Sequence, residues 1–257
     1  MNENVLEVID LSVHAYFLHS TERIVDNLSF CLKTGEKLAI VGESGSGKSM
    51  IASSLAFSLP DNCFALGKIL LDGENLLENK KKKKSILGKQ IVFIPQGGAE
   101  SLNPSLKIKT QIYEVLPSDL SRKQKKETAI RKLERVGLAD GEKILEKYPF
   151  EISGGEAQRV VLACSLCVDA KVIVADEVTR GIDDETSEIF WNCLEKDFKN
   201  TAIIVVTHDM QVAKRCDYVL VLKDGKTQEY GKTDEVFSSP QSEYTESLIS
   251  ESEVSYD

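Results

Sequence analysis

No stretch of this 257-residue chain stays apolar for anything near the roughly twenty residues that a membrane-spanning helix needs. The apolar runs are short, as at Leu38 to Val41, Val172 to Ala175 and Ala202 to Val206. Any membrane role must therefore come through a partner. The opening residues, Met1 to Leu11, lack the basic start and long apolar core of a signal peptide. A basic excess is missing too: 32 Lys and Arg stand against 41 Asp and Glu, for a net charge of −9. That argues against nucleic acid as the main partner, because neutralising phosphates needs a clustered basic surface. The local exception is the run Lys80 to Lys84. It reads as a solvated loop, with contact to anionic lipid headgroups as the sharper alternative. Six cysteines are too few to staple a chain this long, and most lie in apolar stretches, so they read as reduced core thiols. Cys164 and Cys167 form a C-x-x-C, but on a helix they simply share a face within Val160 to Val168.

No Pro/Gly/Ser-rich spacer divides the chain, and no internal repeat is visible. What is there alternates. Lys37 to Val41 is an apolar strand that breaks into Gly42, and Ser49 to Ser58 then has the pattern of a helix. Ile69 to Leu71 and Gln90 to Ile94 are short strands. From Ser101 to Leu166 the pattern turns helical, with Ile130, Leu133 and Val136 on one stripe of the helix Gln124 to Val136. A further helix starts after Gly155 and carries Val160 to Cys167. Strands return at Val172 to Ala175, Ala202 to Thr207 and Tyr218 to Lys223, with a helix from Asp184 to Lys199 between the first two. Strands spaced by helices predict a parallel sheet with right-handed crossovers.

The motif that carries chemistry is Gly42-Glu43-Ser44-Gly45-Ser46-Gly47-Lys48-Ser49, a full G-x-x-x-x-G-K-S between a strand and a helix. Its glycines let backbone N–H groups turn inward as an anion nest at a helix N-terminus. Lys48 is placed to reach the β- and γ-phosphates of ATP and the Ser49 hydroxyl to bind Mg²⁺. The apolar strand ending in Asp176-Glu177 supplies two acids. Asp176 suits holding Mg²⁺ through water, and Glu177 suits orienting and deprotonating the attacking water. Ser153, Gly154 and Gly155 open a helix and offer a second phosphate-binding end. Gln96 follows a strand, where its amide can touch both metal and attacking water, and His208 follows another, where it can contact the γ-phosphate.

In this chain order the motifs resemble the ATP-binding subunit of an ABC transporter, over about Leu6 to Leu248. The resemblance is to the oligopeptide, dipeptide and nickel importer branch. Its marks are the phosphate loop itself, Ser101-Leu102-Asn103-Pro104, Tyr148-Pro149-Phe150-Glu151, and Ser239-Pro240 followed by Tyr244-Thr245 and Leu248. The short tail is similar to the nickel-type members. The resemblance implies an α/β fold: a RecA-like core over about 4–96 and 171–237, an N-terminal antiparallel β portion, and an inserted helical subdomain over about 97–170. One ATP-binding domain then spans 4–248, with a frayed tail at 249–257. It also implies a head-to-tail dimer with a second homologous ATPase, identical or not, in which ATP lies between the phosphate loop of one subunit and Ser153-Gly154-Gly155 of the other. Two membrane permease subunits would dock it to the cytoplasmic face of the membrane, beside Gln96 and the segment Ser101 to Ile112. An extracellular substrate-binding protein would act indirectly. Tyr16, or its neighbour Phe17, is the candidate for stacking on adenine.

The chain departs from the family pattern at Glu156, where the family has Gln. It departs again at Val178-Thr179, where the family has Pro-Thr, and at Arg180-Gly181-Ile182-Asp183. The last turn normally communicates between the two sites of a dimer. A soluble ABC ATPase or a regulatory nucleotide-binding module is the alternative to a transporter subunit. The transported ligand stays open between nickel, a metal chelate and short peptides.

Overall fold

A computed structural model describes residues 4–78, 83, 85–179 and 183–254. The Lys80 to Lys84 run, Lys83 apart, and Arg180-Gly181-Ile182 lie outside the described residues. The chain forms two units. The first comprises Met1–Leu87, Lys171–Asp176 and Asn200–Asp257; the second comprises Gly88–Ala170 and Glu177–Lys199.

In the first unit, strands β1 (Asn4–Phe17) and β2 (Ser20–Lys33) form a long antiparallel hairpin. Its residues alternate, so Leu6, Val8, Val13 and Ala15 of β1 are buried with Val25, Leu28, Phe30 and Leu32 of β2. The strand β4 (Cys63–Leu71) pairs with the other edge of β1, and β5 (Glu74–Asn75) pairs with β4. This is the expected antiparallel portion.

The same unit holds a parallel sheet. In it β3 (Lys37–Val41) lies between β8 (Ala202–Thr207) and β9 (Tyr218–Lys223), and β7 (Val172–Asp176) lies beyond β8. Every residue of β7 and β8 is buried, so both faces of the sheet are covered. That is why these strands read as unbroken apolar runs. The strand β10 (Lys226–Lys232) turns back on β9 through Asp224-Gly225, both at positive φ (48° and 75°), as a two-residue hairpin loop requires. Three short helices are among the described residues of this unit. They are α1 (Lys48–Leu55), then α7 (Met210–Ala213) and α8 (Thr233–Ser238). A fourth, α9 (Glu243–Val254), runs past the point where a frayed tail is expected and packs on α7 and β10.

The second unit is mainly helical, beginning with β6 (Ile91–Ile94). Its helices are α2 (Ile108–Val115), α3 (Arg122–Arg135), α4 (Gly141–Glu146), α5 (Gly154–Ser165) and α6 (Asp184–Asp197). Ser121 and Gln124 form a reciprocal capping box that starts α3. Leu133 and Val136 are fully buried as the stripe predicts. Ile130 is only half-buried and Ala129 takes the inward position, because Gly141 of α4 packs against the backbone of Ile130. The helix α5 packs on α2, α3, α6 and β6. It ends before Cys167, so Cys164 and Cys167 do not share a helix face as expected. Both are free thiols, and burial pushes them up to about 12 and about 11, which fits packing rather than reactivity.

Candidate functional site

The phosphate loop leaves β3 at Gly42, which sits at φ +152°; a Cβ there would stand 2.1 Å from the Leu222 carbonyl oxygen. Only glycine fits. The loop ends at Gly47 (φ +104°), the N-cap of α1, with no side chain capping the helix. A helix start without a side-chain cap is a place that offers N–H groups to an anion. Lys48 is 5% exposed, and its ammonium donates to the Gly42 and Glu43 carbonyls, each at 2.8 Å. The long side chain therefore curls over the loop that it follows. The Ser46 hydroxyl is buried and has no hydrogen-bond partner among the described residues. A buried hydroxyl left without a partner in a loop that leads into a helix start fits a polyanion such as the ATP phosphates.

The loop is tied from outside as well. The Gly225 N–H donates to the Ser46 carbonyl at 2.9 Å, and the Asp26 N–H donates to the Gly225 carbonyl at 2.8 Å. Gly225 is pressed against β2, since a Cβ on it would lie 2.1 Å from the Ile24 oxygen. The Glu43 N–H donates to the Tyr244 hydroxyl at 3.3 Å. Sequence reasoning missed Gly225 and gave Tyr244 no role. The Asp-Gly dipeptide signals a hairpin, but nothing local says what the hairpin touches.

Register puts the remaining groups of this unit at one sheet edge. Val41 pairs with Thr207 and Val206 with Asp176, so Gly42, Asp176 and His208 all leave the carboxyl ends of neighbouring parallel strands. In open α/β sheets that edge is where ligands bind. The Ser49 hydroxyl lies 3.4 Å from an Asp176 carboxylate oxygen. A hydroxyl and a carboxylate side by side are hard oxygen donors that fit Mg²⁺, which keeps several waters and needs few protein ligands. Among the described residues no three His, Cys, Asp or Glu side chains converge on a cage of their own. His208 is exposed, just ahead of Asp209, which caps α7 through the Gln211 N–H. Tyr16 is 56% exposed on β1, with its ring stacked on Phe64 at 4.8 Å. Phe17 beside it is equally exposed.

The second unit carries Glu177, Gln96 and Ser153 to Gly155. Glu177 follows Asp176 directly, is 9% exposed and sits at φ +46°, uncommon for a residue with a side chain. Val178 is buried, and its carbonyl accepts a short hydrogen bond from the Gln158 amide. Gln96 is exposed. Two residues on, Gly98 lies so close to α5 that a Cβ would stand 2.4 Å from the Gln158 nitrogen. The segments after Gln96 and after Glu177 thus both fasten on Gln158.

Ser153 caps α5, accepting the Glu156 N–H at 3.2 Å, while the Glu156 carboxylate accepts the Ser153 N–H at 2.8 Å. That reciprocal box explains how an acid is tolerated where the family has Gln. The Ser153 N–H holds the Glu156 carboxyl below the usual range. A Cβ on Gly154 would meet nothing within 4 Å, so the front of this helix is open. Asp183 caps α6 by accepting from the Thr186 N–H at 2.8 Å and its hydroxyl at 2.9 Å, and that N–H holds its carboxyl low. Arg159 of α5 reaches the same Thr186 hydroxyl at 3.1 Å.

Residues 25–180 match the family model described as ABC transporter. The chain is 37% identical over 254 residues to the oligopeptide transport ATP-binding protein OppD of Bacillus subtilis (strain 168), covering 95% of this chain and 71% of that protein. It is 33% identical over 235 residues to the metal-staphylopine import system ATP-binding protein CntD of Staphylococcus aureus (strain Mu50), covering 88% and 86%. Among solved structures, the fold is similar to the dimeric post-hydrolysis state of the ATP-binding cassette MJ0796 bound to ADP and Pi. The TM-score is 0.77 at 23% identity, over 89% of this chain and 98% of that one.

Proposed function

This chain belongs to the ABC transporter family, and from that premise we propose that it is the ATP-hydrolysing subunit of an importer for short peptides or metal chelates. The observation that carries the reading is the phosphate loop. Lys48 is curled over its carbonyls, the Ser46 hydroxyl is buried without a partner among the described residues, and Ser49 is paired with Asp176 at the carboxyl edge of a parallel sheet. The backbone donors of Gly45 to Ser49 cradle the phosphates, and Lys48 supplies the point charge beside them. Ser49 and Asp176 would hold Mg²⁺, which neutralises charge building on the β- and γ-oxygens. Glu177 takes a proton from the attacking water, with Gln96 and His208 assigned to that water and to the γ-phosphate. Tyr16 offers its open ring face to adenine. Residues 4–248 act as one cassette, with the helical part at about 97–170.

The names of the relatives suggest the cargo class: one serves oligopeptide transport and another metal-staphylopine import. In the proposed assembly two such ATPase subunits, identical or not, close head to tail. ATP lies between the phosphate loop of one and Ser153-Gly154-Gly155 of the other. Two permease subunits carry the motion across the membrane from its cytoplasmic side, and an extracellular binding protein delivers the cargo. The open front of Gly154 supports a ligand arriving there from outside the subunit. The test is Lys48→Ala, assayed for ATP turnover with the permeases and partner ATPase present. Loss of turnover, or of nucleotide binding, is expected; wild-type activity would sink the phosphate-loop assignment.

A further inference from the structure

The phosphate loop is held by residues that no general phosphate-loop motif contains. Glu43 donates its N–H to the Tyr244 hydroxyl and offers its carbonyl to the Lys48 ammonium. The Gly42 carbonyl, which shares a peptide unit with the Glu43 N–H, accepts from the same ammonium at 2.8 Å, so that unit links the C-terminal helix to Lys48. Tyr244 is itself fixed from two sides. The Lys223 ammonium sits 4.4 Å from its ring centroid, a cation–π contact from the end of β9. The Glu229 carboxylate of β10 accepts the Gln241 and Ser242 N–H groups at 3.0 and 3.2 Å, so it sets where α9 begins. Thr245, next in line, is wholly buried, and its hydroxyl has no hydrogen-bond partner among the described residues. This first turn of α9 is docked rather than frayed.

We propose that Tyr244 is a positioning residue for the phosphate loop: through the Gly42–Glu43 peptide it sets the Gly42 carbonyl that aims Lys48, and so it governs ATP affinity. The inference rests on the ATP-binding reading of the same loop. It differs from a packing role because the contact is a single hydrogen bond to a loop amide. Removing the hydroxyl leaves the aromatic ring, the Lys223 contact and the docked helix in place. The loop would then lose its leading tie while the Gly225 tie at Ser46 stays. Lys48 would sample orientations that point away from the phosphates, which weakens binding more than it slows chemistry.

The experiment uses the full chain and a fluorescent ATP analogue, with amide exchange at Glu43 and thermal unfolding measured in parallel. For Tyr244→Phe, Kd should rise about three- to tenfold, as loss of one ordinary hydrogen bond implies. The Glu43 amide should exchange faster, and Tm should stay within about 2 °C. Thr245→Val is the companion variant. It removes an unpartnered buried hydroxyl from the same turn, so it should hold or raise Tm and leave Kd alone. An unchanged Kd in Tyr244→Phe overturns the proposal, as does a Kd that follows Tm in both variants. If the wild-type chain does not bind the analogue, the ATP reading fails and takes this one with it. If the wild type binds and Tyr244→Phe binds equally well, only the role of Tyr244 falls.

Discussion

Asp176 and Glu177 are adjacent, both nearly buried, yet their backbones differ in kind. Asp176 ends β7 in regular strand register opposite Val206, beside the Ser49 hydroxyl. Glu177 breaks that register at φ +46°, a conformation costing on the order of 1 kcal/mol or more for a residue with a Cβ. The two acids therefore project differently and suit different work. Asp176→Asn should weaken Mg²⁺-dependent nucleotide binding, since it removes the negative charge beside the Ser49 hydroxyl. Glu177→Gln should keep ATP affinity and lower single-turnover hydrolysis by about 10²–10⁴-fold, the usual contribution of a general base. That is about 3–5 kcal/mol of transition-state stabilisation. Rapid hydrolysis by Glu177→Gln would place the base elsewhere, and loss of ATP binding would mean that the two acids have exchanged roles.

At the scale of elements, the β9–β10 turn is a brace for the phosphate loop. Gly225 is at φ +75° and its missing Cβ would overlap the Ile24 oxygen, whereas Gly45 at φ +86° has nothing within 4 Å. The pair separates strain from collision. Gly45→Ala should cost roughly 1 kcal/mol of stability, from backbone strain alone. Gly225→Ala should cost about 2–4 kcal/mol and also weaken ATP binding, because the turn must retreat from Ser46. Thermal unfolding and nucleotide titration of both variants would show it; equal losses would mean the turn does not brace the loop. The parallel strands were legible in the sequence within a residue or so, because burial on both faces makes them apolar throughout. The phosphate loop was legible because its chemistry is local to eight residues. The reach of β1, β2 and β4 was not: their exposed positions carry Asp10, Arg23 and Lys68, which interrupt the apolar pattern. The extent of α9 was hidden by its Ser and Glu content, since its anchors Tyr244, Thr245 and Ile249 are few and find their partners far away in sequence. Tyr244 meets Glu43 across 201 residues, a distance no local pattern bridges.

At the scale of the whole molecule, the proposed assembly meets the membrane through other proteins. A chain of net charge −9 is repelled by anionic lipid, and among the described residues no helix is long and apolar enough to cross a bilayer. In the proposed assembly the chain attaches through permease protein, with the segment Ser101 to Ile112 as its proposed surface. Ser105 is exposed there, and its backbone N–H donates to the Asn103 side-chain oxygen at 3.0 Å. Ser105→Glu should reduce co-isolation with the permeases while ATP binding by the chain stays intact; normal complex recovery would move the docking surface elsewhere. The long span between Glu43 and Tyr244 also has a bearing on how the protein is born. At about 5–20 residues per second, the ribosome needs on the order of 10–40 s to make the chain between them. During that interval the anion nest has left the ribosome with neither the hairpin nor the helix that steadies it. The part of the cassette made early is finished last, so a nascent chain gains its full grip on nucleotide only as its final helix emerges.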